Sequence, residues 1–400
     1  MRKISNWGAK SPKTNRILVI AESAITAGLL CIPIMTPFYL SIGLNQEQIA
    51  LSQMIFTAVL MILNVPMGWV ADRFSRKWAN VIGDSLAGTV LLFYAQASSL
   101  TDVVICEILL GLALALSQGV DSSLLKYFSD QEDDRGKLFR RSFGLMTSVS
   151  QLASLGLLLL GGPIGAISPQ LAICSSSVSY YMGAIFTLLI NDDSPKLKSR
   201  YKNPLRDMGE LAKRCMKNPV LRIRIIAYAW AREVTHGIIW VFTPLMLMVG
   251  VPVAVVSIGW VLNEIFAYVG TILARKLAAR LKDESIFIMP FILIAIACIG
   301  MAANLNIATV WLYCLFGVAK GWAAVTMMPL VKERVKANEQ VTVESIARAL
   351  AQLVYIGAIY IINCAADIEL VYSVIATAVI FVPASIPIAL TLRKQGLAKS

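Results

Sequence analysis

Three ionisable residues lie close together inside one long apolar stretch of the sequence: Arg232, Glu233 and the only histidine, His236. On a helix, Arg232 and His236 share a face because they are four residues apart, and Glu233 can also reach His236. Imidazole titrates at about pH 6.5, so the cluster could relay protons, or the arginine could bind an anion. A neutralised structural pair is the alternative. Trp240, one turn further on, is the aromatic candidate for the same site.

Five other charged residues are isolated in separate apolar stretches: Glu22, Glu107, Glu264, Lys320 and Arg348. A charge at the bilayer centre costs at least ~2.5–3.5 kcal/mol on insertion scales, so each needs a partner, a wet cavity or a proton. We expect Glu22 to hold a proton or to contact a cationic substrate, unless it reaches the membrane surface. Lys320 and Arg348 are expected to pair with the isolated glutamates across a cavity, although Arg348 could instead meet Glu344, one turn away.

The composition explains why these charges stand out. Hydrophobic residues make up 57% of the 400 positions and charged residues 15%, against about 25% charged in soluble proteins. The length allows about a dozen membrane spans of ~20 residues. We therefore predict an all-α membrane protein with twelve transmembrane helices, at residues 17–40, 47–70, 79–97, 102–127, 141–162, 171–190, 225–249, 252–274, 285–303, 307–331, 344–363 and 369–392.

The cations test this layout independently. With the N-terminus in the cytoplasm, 33 of the 36 Lys and Arg residues fall on the cytoplasmic side, and the other three are Arg232, Lys320 and Arg348. This distribution follows the positive-inside rule and predicts a multi-pass protein of the cell inner membrane with both termini cytoplasmic. It also accounts for the net charge of +12 without nucleic acid.

The longest polar connection divides the spans six and six. Residues 1–190 and 225–400 are predicted to form two pseudo-symmetric six-helix bundles around a central cavity, joined by a cytoplasmic linker at 191–224. A weak repeat supports the duplication, since Gly68 precedes Asp72-Arg73 as Gly270 precedes Ala274-Arg275. The seven cysteines form no metal or disulfide pattern. Neither a catalytic constellation nor a phosphate loop is present, so we expect neither an enzyme nor a cofactor.

A charged turn follows the second span. Its residues resemble the signature loop between helices 2 and 3 of the major facilitator superfamily, with matches at Gly68, Ala71, Asp72, Arg73, Arg76 and Lys77. The resemblance implies transport by alternating access. It assigns Gly68, Asp72, Arg73, Arg76 and Lys77 to gating, in which Asp72 would bind helix N-terminal amides or cations of the next loop. Asp121 could help the Asp72-Arg73 turn to close the cytoplasmic face, or could make a helix-end contact.

Two further stretches bear on function. Glu107 replaces the arginine that a superfamily motif of the fourth span carries, and Gly161-Gly162-Pro163 resembles part of the antiporter motif of the fifth. The resemblance is to exporter-like, drug/proton antiporter-type members. The leading hypothesis is a monomer that exports a small amphipathic or cationic compound in exchange for protons. The alternatives are proton-coupled uptake of an organic anion or metabolite, and a non-transporting membrane receptor or scaffold.

Overall fold

The structure is a computed structural model that describes residues 11–28, 30–132, 137–191, 204–233, 235–332, 335 and 340–397. Within these ranges the side chains of residues 65, 69, 72, 204–208, 211, 279, 340–342 and 395–397 are outside the description. All regular secondary structure in the described residues is helical, which confirms the all-α prediction.

The helices follow the predicted spans in order. The first six spans contain α1 (Pro12–Thr26), α2 (Ile32–Ser41), α3 (Gln46–Arg73), α4 (Arg76–Tyr94), α5 (Leu100–Ser117), α6 (Val120–Asp130), α7 (Lys137–Ile167) and α8 (Pro169–Leu188). The linker contains α9 (Pro204–Lys217). The last six spans contain α10 (Pro219–Glu233), α11 (Ile239–Met248), α12 (Val253–Leu277), α13 (Asp283–Ala303), α14 (Cys314–Lys332), α15 (Gln340–Ile368) and α16 (Leu370–Leu397), with short 3-10 turns at Ala278–Arg280 and Thr309–Tyr313.

Each of the twelve predicted spans coincides with at least one helix. Among the described residues, nine helices are individually long and apolar enough to cross a membrane. Three spans are interrupted, and hydropathy did not predict this. The first breaks between α1 and α2, the fourth between α5 and α6, and the seventh between α10 and α11. At the second break Gly119 adopts a left-handed backbone with φ of 81°, a conformation that glycine reaches without steric cost.

Two units of packing emerge. The first takes in the described residues of Met1–Met35 and Ala58–Lys202, and the second those of Thr36–Thr57 and Asn203–Ser400. In the first unit, α1 and α6 share an apolar core that includes Val19, Leu124 and Phe128. This core fixes the two helices that carry acidic residues of the site. The domain boundaries at residues 190 and 225 stay a prediction.

In the second unit, α12 and α14 approach at backbone distance. A Cβ on Gly317 would overlap the carbonyl oxygen of Asn263, and one on Gly321 would overlap that of Ala267. Small residues allow helices in membranes to pack this closely, where dispersion contacts replace the missing hydrophobic drive. The close contact sets the spacing of the charged side chains that these two helices carry.

Candidate functional site

Three acidic side chains of the first unit line one cavity of about 240 Å³. Glu22 comes from α1, Asp84 from α4 and Asp121 from the first turn of α6. We call this space the acidic cavity. Glu22 is 3% exposed and Asp84 is 2% exposed, so both carboxyl groups are removed from solvent. No Lys, Arg or His is among the described residues that line the cavity.

An amide organises the acidic cavity. Nδ2 of Asn80 donates to Oε1 of Glu22 at 3.1 Å and to Oγ1 of Thr187 at 3.0 Å, with a longer 3.5 Å approach to Oδ2 of Asp84. The hydroxyl of Thr26 donates to the main-chain oxygen of Glu22 at 3.0 Å. The Asn80 bond holds the Glu22 carboxyl in place, because buried polar groups in a low-dielectric site bond strongly.

The three carboxyl groups share this small space. Nδ2 of Asn80 is within reach of both Glu22 and Asp84, and Asp121 lines the same cavity. Buried carboxylates without a cation are costly when all are ionised, so the cluster favours a proton or a bound cation. The buried oxygens Oδ1 of Asn80 and Oδ1 of Asp121 have no hydrogen-bond partner in the described part of the chain. The acidic cavity can therefore hold protons and has acceptors free for a donor or a cation.

The helix break explains the position of Asp121. α5 ends at Ser117, and Gly119 is the N-cap of α6, which begins without a side-chain cap. Asp121 thus lies at a helix N-terminus, where exposed amides favour a negative group. On α8, Gly183 leaves room for its neighbours, since a Cβ there would lie 3.0 Å from Oδ2 of Asp84.

Asn80, Asp84 and Asp121 were not among the predicted site residues. Only Glu22 was, and its acidic neighbours come from two other helices. One signal was present in the sequence: Asn80 and Asp84 are four residues apart in an otherwise apolar span, so they share a helix face. The convergence with Asp121 depends on how α4 and α6 pack, which local spacing does not reveal.

The seventh span carries the predicted charged cluster in the second unit. Nε of Arg232 donates to Oε1 of Glu233 at 2.9 Å, and the guanidinium also donates to the Tyr228 hydroxyl at 3.1 Å. Nδ1 of His236 lies 3.0 Å from the carbonyl oxygen of Arg232, which can only accept, so Nδ1 carries the hydrogen. Oε2 of Glu233 is 3.6 Å from the same nitrogen. The three residues meet as predicted, although α10 ends at Glu233 and His236 lies beyond it and not on the same helix face.

The isolated charges find partners, though not all the expected ones. Nζ of Lys320 on α14 lies 2.5 Å from Oε1 of Glu264 on α12, as predicted. Arg348 pairs with Glu344 on its own helix at 2.7 Å, which was the alternative. Glu107 accepts a hydrogen bond from the Tyr94 hydroxyl at 2.7 Å, a partner that the sequence analysis did not predict.

Trp240 lies in an aromatic and polar setting at the start of α11. Its Nε1 donates to the Tyr355 hydroxyl at 2.9 Å, and its carbonyl accepts from Oγ1 of Thr36 at 3.0 Å. The Tyr39 ring lies 6.2 Å from it, centroid to centroid. Trp240 is half-buried and contacts Tyr355, Thr36 and Tyr39.

The charged turn predicted to gate transport joins α3 to α4. Gly68 has open space where a Cβ would lie, and the side chain of Asp72 is outside the described part of the chain. Arg73 is exposed and Arg76 is half-buried. Lys77 has a clear structural role, since Nζ donates to the carbonyl oxygens of Leu188 at 2.8 Å and Ile190 at 2.7 Å. It thereby satisfies acceptors that the end of α8 leaves open.

Replacing Lys77 by Met is expected to lower stability by about 1–2 kcal/mol, because two charge-assisted hydrogen bonds are lost. The measurement is thermal unfolding of the purified protein in detergent. Lys276→Met is the matched control, since Lys276 is exposed at the end of α12. An equal shift in both variants would show that the contacts to α8 contribute nothing.

Solved structures share this fold. The nucleoside transporter NupG is 13% identical with a TM-score of 0.76, over 96% of this chain and 98% of that chain. A bacterial homologue of the human lysosomal transporter Spinster, in an inward-facing and occupied conformation, is 12% identical with a TM-score of 0.76, over 96% of both chains. A POT family transporter in complex with a thioalcohol-conjugated peptide is 11% identical with a TM-score of 0.73, over 96% of both chains.

These likenesses establish the fold, with its two bundles of six membrane-spanning helices. A comparison with curated protein sequences finds no match. The family is shown by sequence. The model of the Major Facilitator Superfamily matches residues 18–358, and the chain therefore belongs to the Major Facilitator Superfamily of transporters.

Proposed function

We propose that this transporter exports a small amphipathic or cationic compound in exchange for protons. Membership of the superfamily makes it a secondary transporter consistent with alternating access. The observation that carries the finer proposal is the acidic cavity, which Glu22, Asp84 and Asp121 line together with no Lys, Arg or His among its described lining residues. Protons and cationic substrates are the two kinds of ligand that such a site attracts.

Exchange follows from competition for one site. Several like charges in a buried space repel strongly, so a protonated cluster is favoured when the cavity is empty of cations. A bound organic cation would supply the compensating charge itself and release the proton. Because binding of one ligand expels the other, an inward proton gradient can drive outward movement of the cation.

We place the protein in the cell inner membrane as a monomer with both termini in the cytoplasm. The support is the distribution of cations, with 33 of 36 on the side assigned to the cytoplasm. Reporter proteins fused to each terminus, and active only in the cytoplasm, should both be active. Activity of one fusion alone would overturn the layout.

The direction of coupling can be tested in sealed vesicles containing the purified protein. The probes are ethidium, an amphipathic cation, and para-aminohippurate, an organic anion. With an acidic lumen, exchange predicts that ethidium accumulates inside while a lumenal dye reports alkalinisation. Vesicles treated with nigericin, which removes the proton gradient, are the control. Accumulation of the anion in vesicles with an alkaline lumen would instead show uptake with protons. Movement of neither probe would favour a receptor or scaffold.

The second candidate function, proton-coupled uptake of an organic anion, is favoured by the second unit. The side chains of Arg232 and Lys320 are 45% and 37% exposed although they lie within apolar spans. Because these two cations are partly exposed, they can still bind a carboxylate or phosphate of a substrate. Under this alternative, Arg232→Met should lower para-aminohippurate uptake at least about tenfold through the lost charge-assisted bond. Arg393→Met, at an exposed position near the end of α16, should leave uptake unchanged.

A further inference from the structure

The N-terminus of α3 is capped by a carboxylate from a distant part of the chain. Oδ1 of Asp367, near the end of α15, accepts the main-chain N–H of Gln46 at 2.7 Å. Oδ2 of the same side chain accepts the N–H of Glu47, also at 2.7 Å. Residues 36–57 and α15 belong to the same unit of packing. One side chain therefore ties the start of a 28-residue helix to the end of α15.

This helix end also has a cap of its own. Oδ1 of Asn45 accepts the N–H of Gln48 at 2.9 Å, and Oε1 of Gln48 accepts the N–H of Asn45 at 3.1 Å. Such a reciprocal capping box satisfies the third amide of the helix by local contacts. Asp367 adds the first and second amides, and its negative charge suits the positive end of the helix dipole. The helix could thus begin at the same residue without Asp367.

Other contacts run along the same segment. The Tyr360 hydroxyl donates to Oε1 of Glu47 at 3.0 Å, and Oγ1 of Thr36 donates to the Trp240 carbonyl at 3.0 Å. The capped end of α3 is the end opposite the charged turn that follows Arg73. In the proposed topology this end faces the outside. Water at that surface could replace each of the Asp367 bonds, so the contact can break at low cost.

We propose that Asp367 is a positioning residue that latches the outer end of α3 to α15, and that this latch opens in the transport cycle. The inference rests on alternating access and on the proposed topology. It needs neither the identity of the substrate nor proton coupling. The carboxylate bonds to main-chain amides, so the latch depends on the position of the helix end and not on a matching side chain. An open state would leave α3 capped by its own Asn45 and Gln48.

The latch can be tested by the reactivity of Cys364, which lies one turn before Asp367 and is half-buried. The probe is a membrane-impermeant maleimide added to the purified protein in vesicles, with Cys364→Ser giving the background from the other cysteines. Asp367→Ala is expected to raise the labelling rate about fivefold, which is the ratio that corresponds to the ~1 kcal/mol typically lost with a helix cap. Asp367→Glu keeps the charge and should restore most of the protection.

The matched control is Asp102→Ala. Asp102 also caps on the outer side, but it accepts from Ser98 in its own loop, at 3.0 Å from the main-chain N–H and 3.2 Å from the hydroxyl. Its loss should leave Cys364 labelling unchanged. Equal acceleration in Asp102→Ala and Asp367→Ala would show general loosening and overturn the latch. An unchanged rate in Asp367→Ala would overturn it as well.

A second variant removes the other side of the same bond. Gln46→Pro deletes the N–H that Oδ1 of Asp367 accepts, at the first helical position, where proline is well tolerated. It should also raise the labelling rate of Cys364. Combined with Asp367→Ala it should add little, since both changes break one contact. Effects that multiply in the double variant would contradict the latch, whether or not the protein proves to exchange protons for its substrate.

Discussion

Glu22→Gln is expected to abolish proton-driven exchange while leaving the fold intact. Glutamine has the shape of glutamate and can still accept the hydrogen bond from Nδ2 of Asn80. Its amide cannot take up and release a proton, so the acidic cavity loses one of its three titratable groups. We expect the initial rate of ethidium accumulation in vesicles with an acidic lumen to fall by at least about tenfold, a loss of roughly 1.4 kcal/mol in coupling.

A second measurement separates coupling from binding. Exchange of labelled for unlabelled substrate across vesicles without a proton gradient needs no proton release, so Glu22→Gln should retain it if substrate still binds. Glu369→Gln is the matched control, because Glu369 is exposed between α15 and α16. Wild-type ethidium accumulation in Glu22→Gln would remove the acidic cavity from the mechanism. Equal losses in both variants would point to a general effect of expression or folding.

The spans were predictable because each one is a largely apolar run of membrane length with cations near its cytoplasmic end. A bilayer excludes unsatisfied backbone and charge, so length and loop charge suffice to position a helix. The interruptions were not predictable on the same basis. The break at Gly119 lies among the polar residues Ser117, Gln118 and Asp121, and the one between Glu233 and Ile239 contains Thr235 and His236. Hydropathy averages over a window and does not register which few residues leave the helical conformation.

The site was predictable where it is local. Arg232 and Glu233 end α10 and His236 follows in the break before α11, so their proximity in sequence is enough to bring them together. The pairing of Lys320 with Glu264 followed from opposite charges in apolar surroundings, which leave few other partners. Arg348 shows the limit of that argument, because it pairs with Glu344, one turn away on its own helix, and not with an acid of another span.

The acidic cavity required tertiary knowledge. Asp84 and Asp121 lie towards the cytoplasmic ends of their spans. At such positions an acid is expected to contact a helix end or the membrane surface. Their convergence on Glu22 depends on the core shared by α1 and α6, and on Gly183, which leaves space beside Asp84. A packed arrangement of several helices has no signature at a fixed spacing along the chain. The predicted site therefore contained one of its three acids.

Gly321→Ala is expected to destabilise the second unit by about 1–3 kcal/mol or more, the usual cost of forcing atoms into a packed interface. A Cβ at this position would overlap the carbonyl oxygen of Ala267, and that oxygen belongs to the backbone of α12 and cannot rotate away. The helices would have to separate. Thermal unfolding in detergent measures the loss, and the pair of Glu264 with Lys320, which spans the same helices, should weaken with it.

Gly357→Ala is the control for this change. Gly357 is also inside a helix, but a Cβ there would meet nothing within 4 Å. Alanine is the better helix former by about 1 kcal/mol, so this variant should be as stable as the wild type or more stable. The two substitutions are chemically identical and should therefore act in opposite directions. If Gly321→Ala also stabilises the protein, α12 and α14 do not touch at backbone distance, and the geometry that brings Lys320 to Glu264 has another cause.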